Sequence, residues 1–416
     1  MEHSERSGLG AWGWQIGLWR RLRTWWQRLA PSTRWALQLY GVVRLFVSLW
    51  GGIATRWQAV PSPFDVDYLI RAGFPWAGSR LADVLIGNYL RWDTGWYLEI
   101  AIFGYLPETG NVIFPPLYPL LIRGLGWLIG GHYLLAALLI SNLACIVFLI
   151  FAYRLIALDF SQGTARQALL YLLAFPTGFF LVCGYSEPVF LCFFVLALYA
   201  ARRNRWIWAG LAAFLSALAR LQGWVLVLPL VYFWVKDRLW PAWRAKRFDL
   251  WALGSSLIAA GGAGLGVVAF MVYVYLAGLP SIEQAFLEKW GLQVGMPWDS
   301  VLLAIRALWS GDVLFHDVGN IVVTVMVVAL TLIGLRRLPA FYSLFMVPAL
   351  LFTLMRYYPR TQLHGMMRYA LAYFPDFILV AQWGQRHRWG HRFLMAFFLL
   401  FQVILVAWFV NWIWVS

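Results

Sequence analysis

Charge is scarce in this sequence: only 12% of its 416 residues are Asp, Glu, Lys or Arg, while 62% are hydrophobic. A soluble globular domain carries about 25% charged and about half apolar residues, so this composition excludes that class. Cysteine is scarcer still. Cys145, Cys183 and Cys192 all sit inside apolar runs, which speaks against a disulfide framework or a thiolate metal site. Acidic residues are outnumbered 18 to 33 by Lys and Arg, yet the excess falls in short clusters between apolar spans instead of along one basic face. The charge pattern therefore reads as membrane topology and not as nucleic-acid binding. No β-barrel alternation, inverted internal repeat or secretory signal peptide is recognisable.

What the chain has in abundance is apolar length and aromatic rings. Apolar stretches fall at about 35–54, 133–157, 166–183, 188–201, 206–221, 224–235, 250–278, 318–335, 340–355, 369–383 and 393–414. Helical crossing of a hydrocarbon core takes about 20 residues. The expectation is an all-α polytopic bundle of about eleven transmembrane helices, with 27 Trp and 19 Tyr suited to the two interfaces. Residues 1–34 read as a basic, Trp-rich cytoplasmic interfacial segment, and 35–416 as a single transmembrane domain. Arg202, Arg203 and Arg205, then Lys236 to Arg247, Arg336 with Arg337, and Arg386 to Arg392 all fall inside if the N-terminus is cytoplasmic. That accounting requires Phe114–Ile129 not to cross, as Pro115, Pro116, Pro119 and Arg123 also suggest; a re-entrant or interfacial segment is expected. Twelve of the 18 acids then lie outside, Glu187 at the head of a span and the other eleven on long outer segments; these segments are 55–132, 279–317 and 356–368. Segments of that length in a compact protein commonly carry function.

Within the first of these segments stands Arg91-Trp92-Asp93-Thr94-Gly95-Trp96-Tyr97-Leu98-Glu99-Ile100-Ala101, followed by Phe114-Pro115-Pro116-Leu117-Tyr118-Pro119. Tyr185-Ser186-Glu187-Pro188, the cluster ending at Arg203, Ala219-Arg220, and Arg368-Tyr369 with Phe374-Pro375 follow in order. This series resembles the PIG-V family of mannosyltransferases, multi-spanning enzymes of the GT-C glycosyltransferase class, from about residue 35 to residue 376. The resemblance implies a GT-C fold and transfer of mannose from a polyprenyl-phosphate donor to a lipid-linked or surface acceptor outside the cytoplasm. In a bacterial relative the protein would sit in the cytoplasmic membrane, and in a eukaryote in the endoplasmic reticulum.

Such a transfer needs a base for the acceptor hydroxyl, and Asp93 is the candidate; its ordinary reading is a helix cap or a partner of Arg91. Arg91, Trp92, Tyr97, Glu99 and Glu187 are candidates for positioning the acceptor. Ser186-Glu187-Pro188 also makes a good helix start, with Ser186 as N-cap. Arg220, between two short apolar runs, is expensive to bury without an anion, for which a phosphate or Glu187 would serve. His364 and Arg368 are four residues apart, sharing a face if helical, and can hold the donor phosphate; Arg356 reads as an interface anchor. Lys289, Trp290 and Gln293 offer further contacts without a demanding pattern. Asp65 and Asp67 form an Asp-x-Asp that can begin a metal site but lack further ligands. No cofactor is required in this scheme, because arginines can neutralise a phosphate leaving group, and a divalent metal is not favoured. Asp376, inside an apolar span, is a functional candidate without an evident partner. The competing class is a lipid or solute transporter without covalent chemistry, which intramembrane Arg220 and Asp376 would also suit.

Overall fold

The computed structural model describes residues 21, 23–57, 80–359 and 361–415, and nearly all of its regular structure is helical. Among the described residues four helices are long and apolar enough to span a bilayer: Pro31–Ala54, Tyr133–Ile156, Phe315–Arg337 and Arg388–Val410. At 1.5 Å rise per residue each is about 35 Å long. The pair Leu250–Ala260 and Gly262–Leu276, bent by 57°, makes a fifth if taken as one span. The protein is an all-α polytopic membrane bundle.

Several of the eleven expected intervals are short or broken helices. The interval 166–183 is the 13-residue helix Gln162–Ala174 and then a 3-10 segment, Gly178–Val182. A Cβ at Gly178 would lie 2.4 Å from the Leu173 carbonyl, so the close turn there needs glycine. Helix Trp206–Ala219 stops at Arg220, whose backbone is extended at φ −151° and ψ 137°. The interval 369–383 contains a break before Asp376–Arg386, the helix that follows Pro375. The segment that was to stay out of the count is the 12-residue helix Leu117–Leu128, about 18 Å long.

The centre of the bundle is one unbroken buried stretch, Tyr171 to Cys192. It contains Thr177, Ser186 and Glu187, polar groups that lipid-depth burial allows only with partners. Residues Gln293–Val294 and Arg356–Tyr357 pair as a short antiparallel ribbon, Gln293 opposite Tyr357 and Val294 opposite Arg356. Two segments read separately in the sequence are thereby joined. The first long segment joins them too: the Trp290 indole donates to Gly110 O at 3.1 Å, and its ring meets Trp96 and Phe114.

A candidate active site around Asp93

Asp93 is the first residue of helix Asp93–Phe103, with Trp92 before it at φ 53° and ψ −121°. A bulky residue in that region costs about 1–3 kcal/mol and persists only where its surroundings fix it. The rings of Trp412 and Trp414, edge-on at 5.7 and 4.9 Å, do so here. The kink sets Asp93 on the wall of a cavity of about 770 Å³.

The Asp93 carboxylate is not paired with Arg91. Arg91 instead donates to the carbonyls of Val410, Gly87 and Leu90 and stacks on Trp412. Neither Arg91 nor Trp92 is among the residues lining the cavity. The partner of Asp93 is Arg368, whose Nη1 donates to Oδ2 at 2.5 Å. Arg368 Nε also approaches Glu187 Oε1 at 3.3 Å, and Arg220 Nη1 reaches that same oxygen at 2.6 Å. Two arginines and two carboxylates thus alternate in a neutral chain, Asp93–Arg368–Glu187–Arg220. Alternation is what makes burying four charges tolerable, since each charge replaces part of its lost hydration with an opposite one. Asp93 Oδ1, by contrast, carries no hydrogen bond among the described residues, and the side chain remains 12% exposed on the cavity.

Glu187 begins helix Glu187–Arg202 as expected, but Ser186 does not cap it. Its hydroxyl is 2.7 Å from the Tyr97 phenol and accepts from Arg220 at 3.3 Å. Burial, reinforced by the negative charge of Glu187, pushes the Tyr97 phenol well up, so it stays protonated. Arg368 lies among the rings of Phe180, Tyr185 and Tyr369 at 5.6–5.7 Å. Its segment is pinned by buried bonds: Gln362 N to Asp317 Oδ1 (3.0 Å), Met367 N to Asn320 Oδ1 (2.9 Å) and Thr177 Oγ1 to Met367 O (2.6 Å). The segment is therefore held against helix Phe315–Arg337 and against Thr177.

His364 and Arg368 both face the cavity, but not from one helix. Gly365, at φ 80°, separates His364 from the short helix Met366–Tyr369. The His364 ring stacks on Trp414 at 5.3 Å and meets Tyr358 at 4.6 Å. Burial and the nearby Arg368 lower its pKa to about 4, so it is a neutral hydrogen-bonding ring at pH 7 and not a resting cation. Glu99 lies outside the cavity lining, accepting from Asn111 at 3.4 Å, and burial raises its pKa. Asp376 is 2% exposed, and neither carboxyl oxygen has a hydrogen-bond partner among the described residues. It is likewise absent from the lining. Asp65 and Asp67 lie outside the described residues. Among the described residues no three His, Cys, Asp or Glu side chains gather as a metal site.

Over 159 residues the chain is similar to GPI alpha-1,6-mannosyltransferase 2 of Rattus norvegicus, at 31% identity. The matched stretch is 36% of this chain and 32% of the rat protein, so the chain spans about a third of that relative's length. No family model and no solved structure matches the chain. With the apolar helices, the likeness supports a membrane glycosyltransferase at family level, mannosyltransferase-like but not PIG-V in particular.

The cavity also brings in residues without a central role on sequence grounds. Arg356, expected at the headgroups, lines the cavity over the Phe286 ring at 4.7 Å, and its Nε has no hydrogen-bond partner among the described residues. Trp290, Gln293 and Tyr369 also line it. The one signal for Arg356 was its place eight residues before His364, among aromatic and cationic neighbours.

Proposed function

We propose that this protein is a glycosyltransferase that moves a sugar from a polyprenyl-phosphate donor to a lipid-linked or surface acceptor at the non-cytoplasmic face of its membrane. The observation that carries the reading is the buried chain Asp93–Arg368–Glu187–Arg220, of which Asp93, Arg368 and Arg220 line the 770 Å³ cavity. Mannose is the sugar proposed, on the likeness to the rat mannosyltransferase.

In this mechanism Oδ1 of Asp93 takes the proton of the acceptor hydroxyl. The freed oxygen forms a bond to the anomeric carbon as the bond from that carbon to the phosphate oxygen breaks, and the electron pair leaves on the phosphate. Attack from the opposite face inverts the anomeric configuration. Arg368 and Arg356 supply cations that can meet the charge growing on the phosphate, and neutral His364 can donate one hydrogen bond to it. The Arg368 clamp aims Asp93 while leaving Oδ1 open. Arg220 holds Glu187, and Glu187 steadies Arg368. Apolar and aromatic lining such as Met271, Leu287, Phe286 and Trp290 suits a lipid chain leading to a sugar.

The test is incubation of purified protein with polyprenyl-phosphate mannose and a membrane lipid extract. Formation of a mannosylated lipid with inverted anomeric configuration supports the reading. Movement of intact donor across vesicles with no new glycosidic bond would establish the transporter class instead.

A further inference from the structure

A second cavity, of about 760 Å³, opens far from Asp93. Helix Tyr133–Ile156 connects the two: Tyr118, beside Tyr97, bonds to Ala137 and Ser141, whereas Phe151 and Arg154 line the second cavity. Seventeen residues from Ala137 to Arg154 amount to about 25 Å of helix. Its floor is one face of helix Glu187–Arg202, where Phe193, Leu196 and Ala200 recur at helical spacing, and its wall is Trp208, Leu211, Ala212 and Leu215 of helix Trp206–Ala219. Trp208 and Leu211 are exposed on the outside of this slot, as a lipid-facing wall would be.

At one end of the slot stand Arg154, Arg203 and Arg205. Arg154 donates to Ser32 and lies over Phe151, and Arg203 lies over Tyr199. No carboxylate is within ion-pair distance of any of the three among the described residues, although Arg202 beside them is matched by Asp159 at 2.8 Å. An apolar slot with three unmatched guanidinium groups at its mouth is complementary to one kind of molecule, an amphiphile with an anionic head. The geometry points to a binding site for an anionic membrane phospholipid, its phosphate at Arg203 and Arg205 and an acyl chain along Leu196, Leu211 and Leu215. A soluble anion would leave the slot unused, and a zwitterionic lipid would leave the arginines without net negative charge to answer.

The test uses the full chain in nanodiscs of equimolar phosphatidylglycerol and phosphatidylcholine, with lipid retention read by native mass spectrometry after extraction. Preferential retention of phosphatidylglycerol by the wild type is expected. Arg203→Gln with Arg205→Gln should weaken it roughly tenfold or more, while Arg336→Gln with Arg337→Gln, a basic pair outside the groove, should not change it. Ala212→Trp fills the slot with the arginines intact and should also release the lipid. Equal retention of the two lipids, equal loss in both double variants, or undiminished retention by Ala212→Trp overturns the proposal.

Discussion

At the cavity holding Asp93, Arg368 and Arg220 are almost wholly enclosed and each meets a carboxylate within 2.6 Å, whereas in the second groove Arg203 and Arg205 are exposed and meet none among the described residues. Depth explains the difference. An enclosed guanidinium has lost its water and must find a counter-charge in the protein, while an exposed one keeps its hydration and stays available to something outside the chain. The matched set should thus be costly to disturb for the fold as well as the chemistry, and the unmatched set should answer only to its ligand.

The sharpest way to break that contrast is Arg368→Ala. It strands Asp93 and Glu187 in the interior and should lower unfolding stability by about 3–5 kcal/mol, where Arg203→Ala should stay within about 0.5 kcal/mol; similar melting shifts for the two would remove the distinction. Next is Arg220→Lys, which keeps the charge but not the guanidinium whose Nη1 reaches both Glu187 and Ser186. A loss of about 1–3 kcal/mol is expected, and a neutral result would mean that the charge alone suffices. Tyr97→Phe removes one buried hydroxyl and leaves Ser186 with Arg220, so about 1 kcal/mol is expected in the same melting assay.

A further effect is one of pH. The His364 pKa is lowered from 6.5 to about 4, so the unfolded chain takes up a proton that the folded chain refuses. Its contribution to stability is complete above 6.5, shrinks as pH falls below that, and is gone once pH has fallen through about 4. Melting temperatures followed from pH 7 to pH 4 should fall more steeply for the wild type than for His364→Gln. Parallel curves would mean the ring titrates normally.

Much of the site was legible from local chemistry, and what was not is long-range. The pairing of Arg220 with Glu187 could be anticipated because an arginine between apolar runs must find an anion. The pairing of Asp93 with Arg368 joins residues 275 apart, and no local rule selects Arg368 over Arg91 next door. Ser186 was misread for the opposite reason: the capping rule is local, and the hydroxyl is drawn instead to Tyr97 and Arg220. Arg356 was assigned to the headgroups because an arginine's snorkelling and its facing a cavity leave the same sequence trace. For the fold, the helical membrane class followed from composition, but hydrophobic windows run straight over the breaks at Gly178, Arg220 and Pro375. The eleven intervals therefore include short and broken helices beside the four described helices, or five with the bent pair, that are long enough alone.

The central claim is that Asp93 is the base, with its free Oδ1 turned to the acceptor. Its most direct test is the transfer rate from polyprenyl-phosphate mannose under saturating donor for wild type and Asp93→Asn, on samples whose melting temperatures show both folded. Asparagine still accepts a hydrogen bond from Arg368 but cannot take a proton, so the rate should fall by about 10²–10⁴. A variant rate within about twofold of wild type would contradict the account.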